Sequence, residues 1–218
     1  MNWKEYTYKR KSKFCNLDLT LDIDFEKDFG MPKLKSYNGK IPDKFISFNE
    51  ALRTKNYKQG VHFFIDDYQF ERIWTSPERY ISILSKFECV ITPDFSVFSD
   101  IPTPVNIWNL YRNKLLARFF QDKGINVIPN VSVCYGSLLP VTIAGLEKGG
   151  VLAISNVRIS SSQFLTEWFN FVREVVDKIK PCSLLIYGNR LTLSSHSNVI
   201  YIENEQINRL RQWNKKKN

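Results

Sequence analysis

Five short apolar runs, separated by helix-like stretches, limit what this chain can fold into. Val61-His62-Phe63-Phe64-Ile65, Cys89-Val90-Ile91, Asn126-Val127-Ile128, Val151-Leu152-Ala153-Ile154 and Ser183-Leu184-Leu185-Ile186 are contiguous rather than alternating. Contiguous apolar strands are covered on both faces, as in parallel sheets flanked by helices. Val199-Ile200-Tyr201-Ile202 is a sixth candidate. Two long amphipathic segments lie between the runs. One carries Trp108, Tyr111, Leu115 and Phe119 on a stripe, with Thr103 to cap it, Pro104 in its first turn and Gly124 as its stop. The other carries Phe164, Trp168, Phe171, Val175 and Ile179, with Pro181 just beyond. The pattern predicts an α/β fold with a mainly parallel five- to six-stranded sheet, wound or incomplete-barrel-like, with 183–188 as an interior strand.

The ends differ from this body. Residues 1–13 carry five Lys/Arg against one Glu, and 204–218 carry five against one, so +8 of the formal +9 sits in two basic terminal arms. Such arms suit phosphate backbones or acidic membranes as partners, and solvated terminal charge is the plainer explanation. Between them, Leu17, Leu19, Leu21, Ile23 and Phe25 alternate with polar residues and predict a half-buried strand. Gly30, Pro32, Gly39 and Pro42 then break up the chain. Residues 1–59 therefore read as an N-terminal arm and wrapping segment, 60–203 as the α/β core and 204–218 as a basic tail.

No run approaches the roughly 18 apolar residues of a membrane helix, so a cytoplasmic protein without membrane contact is expected. Cys15, Cys89, Cys134 and Cys182 are far apart in sequence and read as reduced structural thiols. With only two histidines, His62 and His196, a zinc site is not expected. No phosphate-cradling glycine loop, dinucleotide fingerprint or nucleophile elbow is present.

Every run ends at its carboxyl side in polar or turn-forming residues: Asp66-Asp67, Asp94-Phe95-Ser96, Asn130, Ser155-Asn156 and Tyr187-Gly188-Asn189. In parallel strands these emerge on one edge, where α/β folds hold ligands. Asp66, Asp67 and Asp94 are hard oxygen donors suited to sharing Mg²⁺ or Mn²⁺. Alternatively, Asp94 or Asp66 serves as an acid/base group while Arg112 holds an anion. Asn106, Asn109 and Asn113 lie at helical spacings of three and four, hence on one face. Asn109, Asn113, Asn130, Ser155 and Tyr187 are the candidate ligand contacts. Arg112 lies beside the apolar stripe, and Asp94 is its expected partner. Each of these residues also has a plainer explanation, since Asp and Ser cap helices and Asn makes turns.

The ordered set His62-Phe63-Phe64-Ile65-Asp66-Asp67-Tyr68, Phe70-Glu71-Arg72-Ile73-Trp74, Pro93-Asp94-Phe95-Ser96, Asn109-Leu110-Tyr111-Arg112-Asn113-Lys114, Gly124 with Val127-Ile128-Pro129-Asn130, and Ile186-Tyr187-Gly188 resembles the domain of unknown function family 4417. The resemblance implies a phage or mobile-element setting and a cytoplasmic location, and carries no reaction. Three functions stay open: an enzyme acting on nucleic acid or nucleotides, a nucleic-acid-binding accessory protein, and an adaptor for a host protein.

Overall fold

The computed structural model describes residues 15–134, 136–157, 159, 161–193 and 198–202. The basic arms and His196 lie outside the described residues. Strands β1 (Phe45–Ser47), β2 (Gly60–His62), β3 (Cys89–Ile91) and β4 (Val127–Ile128) form a parallel sheet in chain order. Strands β5 (Val151–Ser155), β6 (Ser183–Tyr187) and β7 (Val199–Ile202) form a second. The sheets meet at a parallel bridge between Asn130 and Ala153. There the Val131 N–H donates to the Ala153 carbonyl at 2.9 Å and the Ala153 N–H donates to that of Pro129 at 2.8 Å. They do not close into a barrel. A single sheet of five or six strands is thus corrected to two sheets of four and three. The added strand is β1, three residues long and too short to show periodicity. Ser47 ends it by opening a capping box with Glu50 at the start of α1 (Phe48–Ala51).

Both faces of the strands are covered, which explains the contiguous apolar runs. On one face Phe45, Ile91, Ile128, Val151, Ala153, Leu185 and Ile202 meet in a common cluster. On the other, Val61, Val90 and Val127 pack with Phe70, Leu115 and Phe120, and Leu152, Ile154, Leu184 and Ile186 pack with Trp168, Phe171 and Val175. The helices supplying these partners are α2 (Asp67–Thr75), α4 (Thr103–Asp122) and α6 (Ser162–Ile179), with the short α3 (Ile81–Leu84) and α5 (Leu139–Ile143) between them. Strand β6 lies between β5 and β7 and is buried at all five positions, as its sequence predicts. Helix α4 is buried far beyond its apolar stripe, taking in Asn106, Asn109, Asn113 and Lys114. Burial pushes the Lys114 amine down to about 7, and its Nζ donates to the Thr142 carbonyl at 2.7 Å.

A strap from Met31 to Tyr37 crosses the amino edge of the strands. Leu34 bridges Leu146, and Tyr37 bridges Val151, the first residue of β5. The strap passes so close to Gly145 that a Cβ there would lie 2.5 Å from the Pro32 carbonyl oxygen, and Gly145 also has φ of +76°. Tyr37 is buried, and its hydroxyl donates to the Lys40 carbonyl at 2.6 Å. The alternating stretch before the strap is no strand. Leu17–Thr20 is a 3-10 turn and Leu21 is 65% exposed. Its alternation reflects a chain lying on the surface, with Leu19 and Ile23 packed against the first core cluster.

Candidate functional site

The carboxyl edge holds a cavity of about 450 Å³. Phe64, Ile65 and Asp66 border it from the β2–α2 turn, and Asp94 and Ser96 through Asp100 from the β3–α4 loop. Ser132 and Val133 follow β4, Ser155 and Val157 close β5, Phe164 comes from the first turn of α6, and Tyr187 ends β6. Of the residues singled out in the sequence, Asp66, Asp94, Ser155 and Tyr187 border the cavity.

Asp94 is held from two sides. Its Oδ1 accepts from the Asn130 Nδ2 and from the Ser132 hydroxyl, each at 2.7 Å. Asn113 Nδ2 reaches that hydroxyl at 3.4 Å. The charge-assisted bonds fix the carboxylate's orientation. Asn130 is buried, and its Oδ1 has no hydrogen-bond partner among the described residues.

Two aromatic rings, Phe64 and Tyr187, border the same cavity as this carboxylate. Phe64 and Tyr187 stack with ring centroids 4.8 Å apart and planes at 19°. The His62 ring lies 4.7 Å from Tyr187, and its Nδ1 accepts the Phe64 N–H at 3.2 Å. Burial pushes His62 down to about 4, against a weaker upward pull from the Glu50 carboxylate. The imidazole is therefore neutral near pH 7.

The remaining candidates build the wall. Asn106 accepts the Phe98 N–H at 3.1 Å and donates to the Phe98 carbonyl at 2.7 Å. Asn109 donates to the Ser96 carbonyl at 2.7 Å. Asn113 accepts the Phe95 N–H at 2.7 Å and donates to the Phe95 carbonyl at 3.2 Å. One face of α4 thus holds the β3–α4 loop by its backbone. Asp67 assists from α2, accepting the Ser96 N–H at 3.0 Å and the Ser96 hydroxyl at 2.8 Å.

The expected Arg112–Asp94 pair does not form. Arg112 Nη1 binds Glu71 Oε1 at 2.7 Å, and its Nη2 donates to Asn109 Oδ1 at 2.8 Å. Its guanidinium carbon sits 3.7 Å from the Phe95 ring centroid, with the Trp74 ring at 5.7 Å. Glu71, on α2, is long enough to reach this stacked guanidinium, while Asp94 is engaged by Asn130 and Ser132. Arg112 does not border the cavity. Nor do the three aspartates gather. Asp67 is spent on Ser96, Asp66 accepts the Gln69 amide at 3.2 Å, and among the described residues no group of three or more His, Cys, Asp or Glu forms a metal-holding cluster.

Phe64, Ser132, Phe98 and Phe164 were not singled out from sequence. Ser132 had a usable signal: it lies two residues beyond Asn130 in extended chain, so it returns to the same side. For Phe164 the signal was its place in the opening turn of a helix that follows a strand's carboxyl end.

The family model for a domain of unknown function, DUF4417, matches residues 23–205. The chain belongs to the DUF4417 family. It is 33% identical over 181 residues to the Gene 1 protein of Mycobacterium phage L5, covering 81% of this chain and 78% of that protein. It is 30% identical over 188 residues to the Gene 1 protein of Mycobacterium phage D29, covering 84% and 69%. No solved structure matches. The family match and these relatives make this DUF4417 chain a phage-associated protein. No helix among its described residues is long and apolar enough to cross a membrane.

Proposed function

We propose that the cavity binds a planar heterocyclic ring bearing N–H donors, of nucleobase or nucleoside size, and that the protein acts on nucleotides or nucleic acid during phage growth. One observation carries the reading. The Phe64–Tyr187 stack and the oriented Asp94 carboxylate border the same cavity. The aromatic surface suits a flat π-face, and the carboxylate accepts from an amino or imino edge. Stacking of a base on an aromatic side chain contributes about 1–3 kcal/mol. A volume of about 450 Å³ lies within the range of small-molecule sites. The Ser155 hydroxyl borders the cavity too, and those of Ser96 and Ser132, whose protons go to Asp67 and Asp94, add acceptors. If the protein is an enzyme, Asp94 is the acid/base group, with Asp66 as a second carboxylate on the same cavity. The phage setting of the relatives agrees with a nucleic-acid substrate class.

Calorimetric titration of the protein with adenosine, guanosine, cytidine and thymidine tests this. At least one nucleoside is expected to bind, and Asp94→Asn is expected to weaken it about tenfold or more, as removal of a charged hydrogen-bond acceptor does. Failure of all four to bind overturns the reading.

The terminal charge supports an accessory role in holding phosphates. Residues 1–13 and 204–218 carry +8 of the formal +9. Removing both segments is expected to flatten the salt dependence of nucleic-acid binding. An unchanged slope would count against it.

A further inference from the structure

We infer that the cavity's occupant is one nucleotide of a single strand rather than a free nucleoside, with neighbouring bases stacking on Phe98 and Phe164 at the cavity mouth. This rests on the base-binding reading above. Phe98 is 42% exposed and Phe164 40% exposed, yet both border the cavity, so each faces it on one side and solvent on the other. Val157, 42% exposed, borders it as well. Scattered apolar side chains on a surface are ordinary. Here, however, three of the eight large hydrophobics that are exposed among the described residues border one cavity. That concentration calls for a ligand extending past the mouth.

Both rings are carried on fixed backbone. Asn106 holds the Phe98 N–H and carbonyl together, at 3.1 and 2.7 Å. Phe164 lies in the first turn of the 18-residue α6, its N–H capped by the Ser161 hydroxyl at 3.3 Å. Platforms held this way stack a base with little ordering cost. The Phe64–Tyr187 stack and the two rim rings border the same cavity, and a single strand uses several stacking groups for its successive bases.

Charge favours the same occupant. Asp66, Asp94 and Asp100 border the cavity, so a ligand's phosphates are best placed outside it. The formal net charge is +9, of which residues 1–13 and 204–218 carry +8, so the phosphates of a bound strand are drawn to those terminal segments rather than to the acidic cavity. A strand that turns one base inward and keeps its phosphates outside meets both conditions.

The test separates stacking from charge by fluorescence anisotropy on the full chain. The probes are nine-residue strands of thymine, cytosine or adenine nucleotides. Each is compared with a strand of the same sugars and phosphates in which only the central base remains. For the preferred base, the fully based strand is expected to bind about tenfold tighter or more. In a Phe98→Ala/Phe164→Ala double variant the gap, read as the ratio of the two strands' affinities, should close. Phe98→Tyr/Phe164→Tyr should restore it, because tyrosine still offers a ring. Equal binding of the two strands to the unaltered protein, or a gap that survives in the alanine variant, overturns the inference. If a nucleoside binds but the gap is missing, the extended strand fails and the base pocket stands. If no nucleoside binds, both fall.

Discussion

At the amino edge of the strands, the strap places the Tyr37 ring among Phe45, Cys89, Val151 and Leu185, and its hydroxyl is satisfied by the Lys40 carbonyl three residues on. At the carboxyl edge, the chain leaves a cavity bordered by carboxylates, hydroxyls and aromatic rings, and spends three buried asparagines to hold one wall. Both edges belong to the same parallel strands, so the backbone does not dictate the difference. The covering segments do. A buried, internally satisfied ring makes an inert plug. A loop held largely by its main chain keeps its path while several of its side chains border a cavity. The amino edge should therefore answer mutation through stability, and the carboxyl edge through binding.

The largest expected effect lies at the plug. Tyr37→Ala should cost about 3–5 kcal/mol in urea unfolding, as loss of a large buried aromatic does. Nucleoside affinity measured at low temperature should be unaltered. A Tyr37 variant that folds normally but loses ligand would erase the division between the edges.

Beneath the cavity, His62 gives a pH signature. Its folded-state value of about 4 lies below the ordinary histidine value of about 6.5. The unfolded chain therefore takes up a proton first as pH falls. The His62 contribution is full above about 6.5 and is lost as pH drops towards about 4, on the order of 3 kcal/mol across that window. Chemical denaturation at pH 7 and at pH 4.5 should show a smaller drop in His62→Phe than in the unaltered protein. Parallel drops would mean that the histidine is not buried neutral.

Asn113→Ala should cost about 1–3 kcal/mol, because the Phe95 N–H and carbonyl lose their side-chain partner. It should also weaken nucleoside binding by loosening the wall. Unchanged binding alongside lower stability would place the asparagines with the plug rather than with the site.

Asp94→Asn should change stability least, by under about 1 kcal/mol, since an amide oxygen still accepts from Asn130 and Ser132. It should nevertheless give the clearest loss of ligand. A large stability loss with normal binding would mark Asp94 as a structural acceptor.

Much of this architecture was legible in the chain. The runs at 89–91, 151–155 and 183–187 announce parallel strands because burial on both faces removes alternation. Their polar ends announce the edge on which a cavity forms. The failures share a cause. Leu17 to Phe25 alternate as a strand would, but alternation records only which side of the chain is wet, and a turn on a surface satisfies it too. Asn106, Asn109 and Asn113 fall on one helical face as their spacing says, but spacing does not reveal that a loop's peptide groups lie opposite. Arg112 was rightly expected near the buried side. Its partner depended on how α2 packs beside α4, which brings Glu71 within 2.7 Å.

The grip of α4 on Phe95, Ser96 and Phe98 touches only peptide groups in its direct bonds to them. Peptide groups are the same whatever side chain they carry. Val97, Phe98 and Ser99 can therefore be exchanged for other residues while the loop keeps its path, so relatives that keep the asparagines can vary what they recognise without refolding the scaffold. The asparagine ladder works as a socket, and the loop's side chains are an interchangeable insert.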